Sequence, residues 1–308
     1  MINAMNMEKV LIAGGRGTVG SHLQEELRNE GFDPYVLTRN KVASAESEHM
    51  LLWDPSKKIL EADLNEFSHL INLAGEGIAD KRWTKKRKKE IIDSRVQTTR
   101  FLSDLLKEQE HQIQTFISAS ATGFYGNSRN REMSEGNNPI NEDFLSQVCQ
   151  LWEEAAHTAK GHVSRFHIIR IGTVLTTEGG AFPKLTATIP AGVINTMGNG
   201  KQYMSWIHIT DLCRMVAFLL KSKARNGAYN AVSPQPVTNS EFAKKLKETW
   251  KKPAIIVPAP AFALKVALGE MSAVVLNSNK VSSEKIQNEG FAFRYGKIEN
   301  AIDSLLSS

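Results

Sequence analysis

The sequence predicts an α/β protein: a doubly wound parallel sheet with a smaller C-terminal lobe. Three observations carry this. Strand and helix patterns alternate through the first half, a glycine-rich turn follows the first apolar run directly, and the composition changes past Gly227.

The elements follow in order. "EKVLIAGG" reads as a buried strand, "TVGSHLQEELRNEG" as a helix closed by Gly31, and "DPYVLTRN" as a second strand. "HLINLAGEG" reads as a third strand. A basic helix comes next, and "QTFISASATGFYG" reads as a fourth strand running into a loop. Strand, helix, strand repeated in this way predicts a parallel sheet covered on both faces, with ligands gathered at the strand C-terminal ends. The glycine- and serine-rich segments all fall at such ends. Beyond Gly227, "AYNAVSPQPVTNSEFAKKL" predicts a strand, a proline-bearing loop and a helix starting near Thr238 and Ser240. "KKPAIIVPAPAFALKVALGE" adds prolines that stop any long helix. The chain divides on this reading into a domain over 8–233 and a smaller substrate-side lobe over 234–308.

Composition excludes several classes. With 308 residues, 41% hydrophobic and 23% charged, the chain can bury a large core and is not compositionally disordered. The two cysteines, Cys149 and Cys213, are too few for a disulfide framework and are not spaced as a metal site, so no metal is expected and a reducing compartment is the simpler reading. No apolar run reaches the roughly 18 residues that span a bilayer, and the N-terminus lacks the basic start and cleavage site of a secretory signal. A cytoplasmic protein is expected. Residues before Glu8 read as a short polar extension.

Lys and Arg total 38 against 33 for Asp and Glu, and "KRWTKKRKKE" alone holds seven basic residues. In the longer stretch "RWTKKRKKEIIDSRVQTTRFLSDLL", however, Ile91, Ile92, Val96, Phe101, Leu102 and Leu105 recur at near-helical spacing. The lysines therefore read as the solvated face of an amphipathic helix, and no nucleic-acid partner is expected.

The glycine turn carries the most specific signal. Gly14, Gly17 and Gly20 form G-x-x-G-x-x-G, while Gly15, Gly17 and Gly20 satisfy G-x-G-x-x-G; spacing does not separate the two registers. Either lets a backbone turn approach a pyrophosphate at a helix N-terminus, with Thr18 and Val19 opening that helix. This Rossmann-like strand, turn and helix are expected to hold a dinucleotide, a glycine-rich turn without ligand being the plainer alternative. The end of the second strand, Leu37-Thr38-Arg39-Asn40, lacks the carboxylate that takes ribose hydroxyls in an NAD site. Arg39 suits the 2′-phosphate of NADP instead, with Thr38 adding a hydroxyl.

Taken in order, "LIAGGRGTVG", "VLTRN", "INLAGEGIADKRWT", "EIIDSRVQTTR", "SASATGFYG", "WEEAA", "RIGTVL" and "SWIHITDL" resemble the extended short-chain dehydrogenase/reductase superfamily. More closely they resemble its atypical, epimerase-like subgroup of bacterial YfcH-type proteins. The resemblance runs from Glu8 to the C-terminus and implies an NADP-binding oxidoreductase or epimerase-like enzyme with a small carbonyl or sugar-like substrate. It implies cofactor contacts from the Gly14–Gly20 loop, Thr38, Arg39, Leu73, Ala74, Gly75, Glu90, Arg95 and Val174. Extended relatives often dimerise, so a homodimer is an accompanying expectation.

Catalysis departs from the superfamily. Its members place a Tyr and a Lys four residues apart on a helix, the ammonium lowering the phenol pKa. Four positions after Tyr35, Tyr125, Tyr203, Tyr229 and Tyr295 stand Arg39, Arg129, Ile207, Ser233 and Glu299. The corresponding helix, "EDFLSQVCQLWEEAA", offers Cys149, Gln150, Trp152 and Glu153 instead. Ser120 resembles the superfamily's catalytic serine and is expected to hydrogen-bond a carbonyl; Tyr125 is the candidate displaced proton donor, or else an aromatic packed under a loop. The missing pair leaves a second reading open, a nucleotide-binding sensor or scaffold without turnover. His208 reads as a structural histidine, Asp211 as a helix N-cap, and Arg170 as either lining the cleft or anchoring a strand. "VVLNSNKVSSEK" departs from the subgroup's glycine-glutamine and proline pattern, which puts substrate preference in question.

Overall fold

The computed structural model describes residues 7–109 and 112–307, so most of the polar extension before Glu8 lies outside the described residues. In chain order the first strands are β1 Lys9–Ala13, β2 Asp33–Thr38, β3 Met50–Asp54, β4 Ile59–Leu60, β5 His69–Asn72, β6 Thr115–Ala121, β7 Glu132–Met133 and β8 Arg165–Ile171. Then come β9 Thr173–Leu175, β10 Val193–Met197, β11 Tyr203–Met204, β12 Trp206–His208, β13 Gly227–Ala231, β14 Val237–Thr238, β15 Ile255–Ala259 and β16 Lys280–Val281. The helices up to Trp250 are α1 Thr18–Asn29, α2 Lys41–Glu46, α3 Lys85–Lys107, α4 Phe144–His157, α5 Phe182–Thr186, α6 Ile209–Lys221 and α7 Asn239–Trp250. The C-terminal part adds α8 Ala261–Leu268, α9 Ala273–Leu276, α10 Glu284–Asn288 and α11 Ile298–Ser307.

Eight strands form the main sheet in the order β13-β8-β6-β5-β1-β2-β3-β4, parallel throughout except for the β3–β4 pair. The continuous apolar run of β1 follows from burial on both faces. Val10 and Ile12 pack with Leu23 and Leu27 of α1 and with the apolar side of α6. Leu11 and Ala13 pack on the opposite face with Phe101, Leu102 and Leu106 of α3 and Ala156 of α4. The third strand read from the sequence is β5; β3 and β4 intervene.

The chain reverses its direction of travel across the sheet between β1 and its neighbours β2 and β5, which makes β1 the topological switch point. The loops after β1, β2 and β5 therefore meet over one edge, and the candidate site is built there.

The smaller lobe has its own core, in which Leu246, Ile298 and Ile302 pack with Leu175, Phe182, Ile194 and Trp206. Four of those residues precede position 233, while Ile286 and Phe291 return to the α6 side of the main sheet. A single cut at 233 is therefore not a packing boundary; the two units interleave.

Asp211 corrects one expectation. The N-cap of α6 is His208, whose Nδ1 accepts from the Thr210 N–H at 3.2 Å. Asp211, fully buried in the first turn, accepts instead from the backbone N–H of Arg294 (2.8 Å) and Tyr295 (2.7 Å) and pairs with Arg214 at 3.0 Å. It ties the C-terminal segment to the main domain. Asp211→Ala is expected to lower stability by about 1–3 kcal/mol by orphaning two donors, with Asp211→Asn recovering part of the loss in urea denaturation.

The basic helix is less free than its composition implies. Arg87 is buried, donating to the Gly77 carbonyl (2.7 Å), Glu76 (3.3 Å) and Glu90 (3.2 Å). Lys88 pairs with Glu270 and Arg82 donates to the Val266 carbonyl at 3.3 Å, so this face also holds the C-terminal lobe. Lys85, Lys86 and Lys89 are exposed. Among the described residues no helix is long and apolar enough to cross a membrane, and no cluster of His, Cys, Asp or Glu is arranged to hold a metal.

Candidate functional site

Two clefts open on the C-terminal side of the sheet. The first, about 750 Å³, is lined by the loops after β1, β2, β3 and β5 and by one side of α3. Its floor is the glycine turn. Gly14 has φ +84°, and a Cβ there would stand 2.7 Å from the Leu73 carbonyl carbon. Gly20 has no positive φ, but its Cβ would meet the Gly14 carbonyl oxygen at 2.4 Å, so it lets α1 start against the turn. A Cβ on Gly15 would stand 2.6 Å from the Val36 side chain of β2. The left-handed turn position thus belongs to Gly14, which resolves the register that spacing left open, with Gly15 needed for packing on the neighbouring strand. Gly17 is the N-cap of α1 and supplies no side-chain cap. The first-turn N–H groups of α1, without intrahelical partners, make the turn a cradle for an anion.

At the end of β2 the buried Thr38 hydroxyl accepts from Arg16 Nη1 at 3.4 Å and from the Asn40 N–H at 3.1 Å. Asn40 in turn caps α2 through Val42 and Ala43. Exposed Arg39 lies between these two fixed residues, and all of them line the cleft. Carboxylates line it too, but each has a partner: Asp54 accepts from Ser56 (2.6 Å) and pairs with Lys57 (3.4 Å), Asp93 pairs with Lys89, and Glu76 with Arg87. Arg16 and Arg39 have no carboxylate partner among the described residues, so this corner is left with net positive charge.

Of the residues named from the sequence, Gly14, Gly17, Thr38, Arg39, Leu73, Ala74 and Gly75 line this cleft. Gly15 and Gly20 shape its floor from beneath. Thr18 and Val19 begin α1, Thr18 beside the Gly179 loop. Glu90 bonds Arg87, and Arg95 lies under Gly75, donating to the carbonyls of Ile91 (3.1 Å) and Glu76 (2.9 Å). Val174 sits on β9 at the edge of the main core. None of Glu90, Arg95 and Val174 lines the cleft. Arg16 and Asn40 are the additions; the signal for Arg16 was a cation inside the glycine turn itself.

The second cleft, about 300 Å³, lies between the ends of β6 and β8 and the smaller lobe. Helix α4 presents Leu145 and Cys149 to it, four residues apart. These occupy the spacing that a phenol and an ammonium would need. Burial pushes the Cys149 thiol up to about 12, so it stays protonated through neutrality. Counting back four from Cys149 would have found Leu145.

Ser120 is almost completely buried at the end of β6 and donates to Glu153 Oε1 at 2.6 Å. Glu153 is held by Arg170 in a two-pronged ion pair, Nε to Oε1 at 2.9 Å and Nη2 to Oε2 at 2.8 Å. Arg170 Nη1 also donates to the Tyr125 hydroxyl (2.9 Å), which donates to Asn230 Oδ1 (2.7 Å). Tyr125 is wholly buried, and its phenol is pushed up to about 12, desolvation outweighing the nearby Arg170 charge. Arg170 therefore anchors strand ends, and neither Ser120 nor Tyr125 lines the cleft. Thr122, in the single 3₁₀ turn after β6, does line it.

The comparisons fit this architecture. The model of the NAD dependent epimerase/dehydratase family matches residues 10–232, and a domain of unknown function, DUF1731, matches residues 259–305. The chain is 32% identical over 300 residues to the epimerase family protein YfhF of Bacillus subtilis, covering 97% of this chain and 98% of the relative. It is 33% identical over 303 residues to the epimerase family protein SERP0438 of Staphylococcus epidermidis, covering 98% and 100%. Among solved structures, human epimerase family protein SDR39U1 (isoform 2) with NADPH superposes at a TM-score of 0.87, with 25% identity over 97% of this chain and 99% of that one. A nucleoside-diphosphate sugar epimerase from Corynebacterium glutamicum superposes at 0.78, with 31% identity over 98% of this chain and 58% of that one. In fold, motif order and length of match, the chain belongs to the NAD dependent epimerase/dehydratase family.

Proposed function

We propose that this protein is an NADP(H)-dependent, cytoplasmic oxidoreductase or epimerase-like enzyme whose second cleft holds a small carbonyl or sugar-like substrate. The observation that carries the reading is the unpaired cation corner, Arg16 and Arg39 around Thr38, above a turn that has no room for a Cβ at Gly14 or Gly20. The residues fit the group: the Gly14–Gly17 turn and the start of α1 take the pyrophosphate, and Arg39 and Arg16 take the 2′-phosphate by charge-assisted hydrogen bonds. When bound, the nicotinamide supplies or accepts a hydride. The SDR39U1 structure with NADPH supports the choice of the phosphorylated nucleotide.

The chain's own part is orientation. Thr122 offers a hydroxyl at the mouth of β6, where Ser120 was expected to offer one. Ser120 is read as a positioning residue that fixes the β6 end through Glu153. A second reading, a nucleotide-binding sensor without turnover, is favoured by Leu145 and Cys149 standing at the four-residue spacing. NADPH oxidation in a carbonyl-substrate screen supports the enzyme; saturable binding with no oxidation across the screen supports the sensor.

Arg39→Ala is expected to raise the Kd for NADPH about 10- to 100-fold, the equivalent of one lost charge-assisted contact, and to leave NADH within about twofold. Fluorescence titration of both nucleotides checks it. Equal losses for the two would remove Arg39 from the 2′-phosphate.

A further inference from the structure

We propose that the second cleft selects a small, uncharged ligand carrying both a hydrogen-bond donor and an acceptor, and rejects nucleoside diphosphate sugars. The inference rests on reading the first cleft as the nucleotide site.

Charge is the first argument. Among the described residues lining this cleft there is no Lys, Arg or His, and the one carboxylate is Asp143. Asp143 is already engaged as the N-cap of α4, accepting from the Ser146 N–H at 2.9 Å and from Asn277 Nδ2 at 2.9 Å. A diphosphate brought here would face a carboxylate with no guanidinium to pair with it, and an unpaired buried charge is costly. Of the longer helices, α4 and α7 bring their N-termini to the cleft, and both are capped from within: Asp143 accepts from the Ser146 N–H, and Thr238 forms a capping box with Glu241. Neither offers a free cradle for an anion. The first cleft, with Arg16 and Arg39, has the opposite character.

Hydrogen-bonding capacity is the second argument. Three amides line the cleft with one end tied to backbone, which fixes which end remains. Asn239 Oδ1 accepts from the Met197 N–H at 2.7 Å, leaving its NH₂ as a donor. Gln202 Nε2 donates to the carbonyls of Met197 (2.9 Å) and Val275 (3.0 Å), leaving its carbonyl oxygen as an acceptor. Asn279 Nδ2 donates to the Gly126 carbonyl at 3.3 Å, and its buried Oδ1 has no partner among the described residues. A rotation of the Asn279 amide that turns this oxygen to the cleft would let a ligand donor satisfy it. Apolar Ile78, Leu145, Leu185 and Val275 complete the wall. A volume of about 300 Å³ stands at the small end of ligand pockets. The lining and the size together fit a single neutral ring with a carbonyl and a hydroxyl or amide.

The test is saturation-transfer NMR on NADPH-loaded protein with matched probes: 4-hydroxycyclohexanone against 4-oxocyclohexanecarboxylate, and glucose against UDP-glucose. The neutral member of each pair is expected to bind at least tenfold more tightly. Asn279→Ala should weaken the neutral probes about tenfold with the NADPH Kd unchanged, which separates a lost contact from a lost fold. Leu145→Lys should reverse the preference toward the anionic members. Equal or tighter binding of the anionic members, no binding by the neutral ones, or indifference to Asn279→Ala would each overturn the proposal. Failure of the wild-type protein to take up NADPH would instead overturn the nucleotide reading, before any probe is added.

Discussion

Replacing Arg170 by Met is expected to lower stability by about 3–5 kcal/mol, because it strands the Glu153 carboxylate in the interior. Both side chains of this pair are 6% exposed, so neither charge has water to fall back on. The loss should exceed that of a single contact, since the same guanidinium holds Glu153 by two bonds, donates to Tyr125 and stacks 3.5 Å from the centre of the Phe124 ring. Urea denaturation of Arg170→Met, Glu153→Leu and the double variant gives the measurement. The double variant should recover much of the loss, because removing both charges leaves no uncompensated ion. If the two single losses simply add, the pair is not acting as a buried ion pair.

That network explains why two hydroxyls expected to face a substrate do not. Ser120 and Tyr125 sit at the strand end that the fold predicts for chemistry, yet each is spent on the ion pair beneath the cleft. Their positions were readable because strand ends are a local feature. Their partners were not, because Glu153 lies 33 residues beyond Ser120 and Asn230 lies 105 beyond Tyr125. What a hydroxyl does depends on the group opposite it, and spacing along the chain carries no trace of that group.

The same division runs through the fold. Gly14 and Gly20 could be read because a backbone turn and a helix start within seven residues of each other constrain their own sequence. Arg16 was passed over although it stands inside the turn, since its value comes from Thr38 on the next strand. β3, "MLLWD", was missed because only Trp53 of its five residues is buried, so it shows neither a clean alternation nor a continuous core run. Asp211 carried an N-cap signal, polar and just ahead of an apolar run. His208, three residues earlier, took the cap because an imidazole nitrogen accepts an N–H as a carboxylate does, freeing Asp211 for Arg294 and Tyr295.

Two of the histidines make stability depend on acid. His167 is completely buried with neither ring nitrogen partnered among the described residues, and burial holds it down at about 4. His208, buried and lying 4.0 Å from the Tyr295 ring, is likewise pulled down to about 4. In the unfolded chain both titrate near 6.5. Between those values the unfolded chain binds the protons and the native one does not, so stability is full above about 6.5 and falls as pH drops toward 4, each ring contributing up to about 3 kcal/mol. Burial also lowers His69, with Glu8 opposing it. Denaturation midpoints at pH 7, 5.5 and 4.5 should therefore fall steeply. His167→Phe, which keeps an aromatic ring against Tyr229, should remove about one proton from that slope, and His208→Asn, which keeps a helix-capping acceptor, should remove another. A slope that survives intact in the double variant would assign the acid sensitivity to other groups.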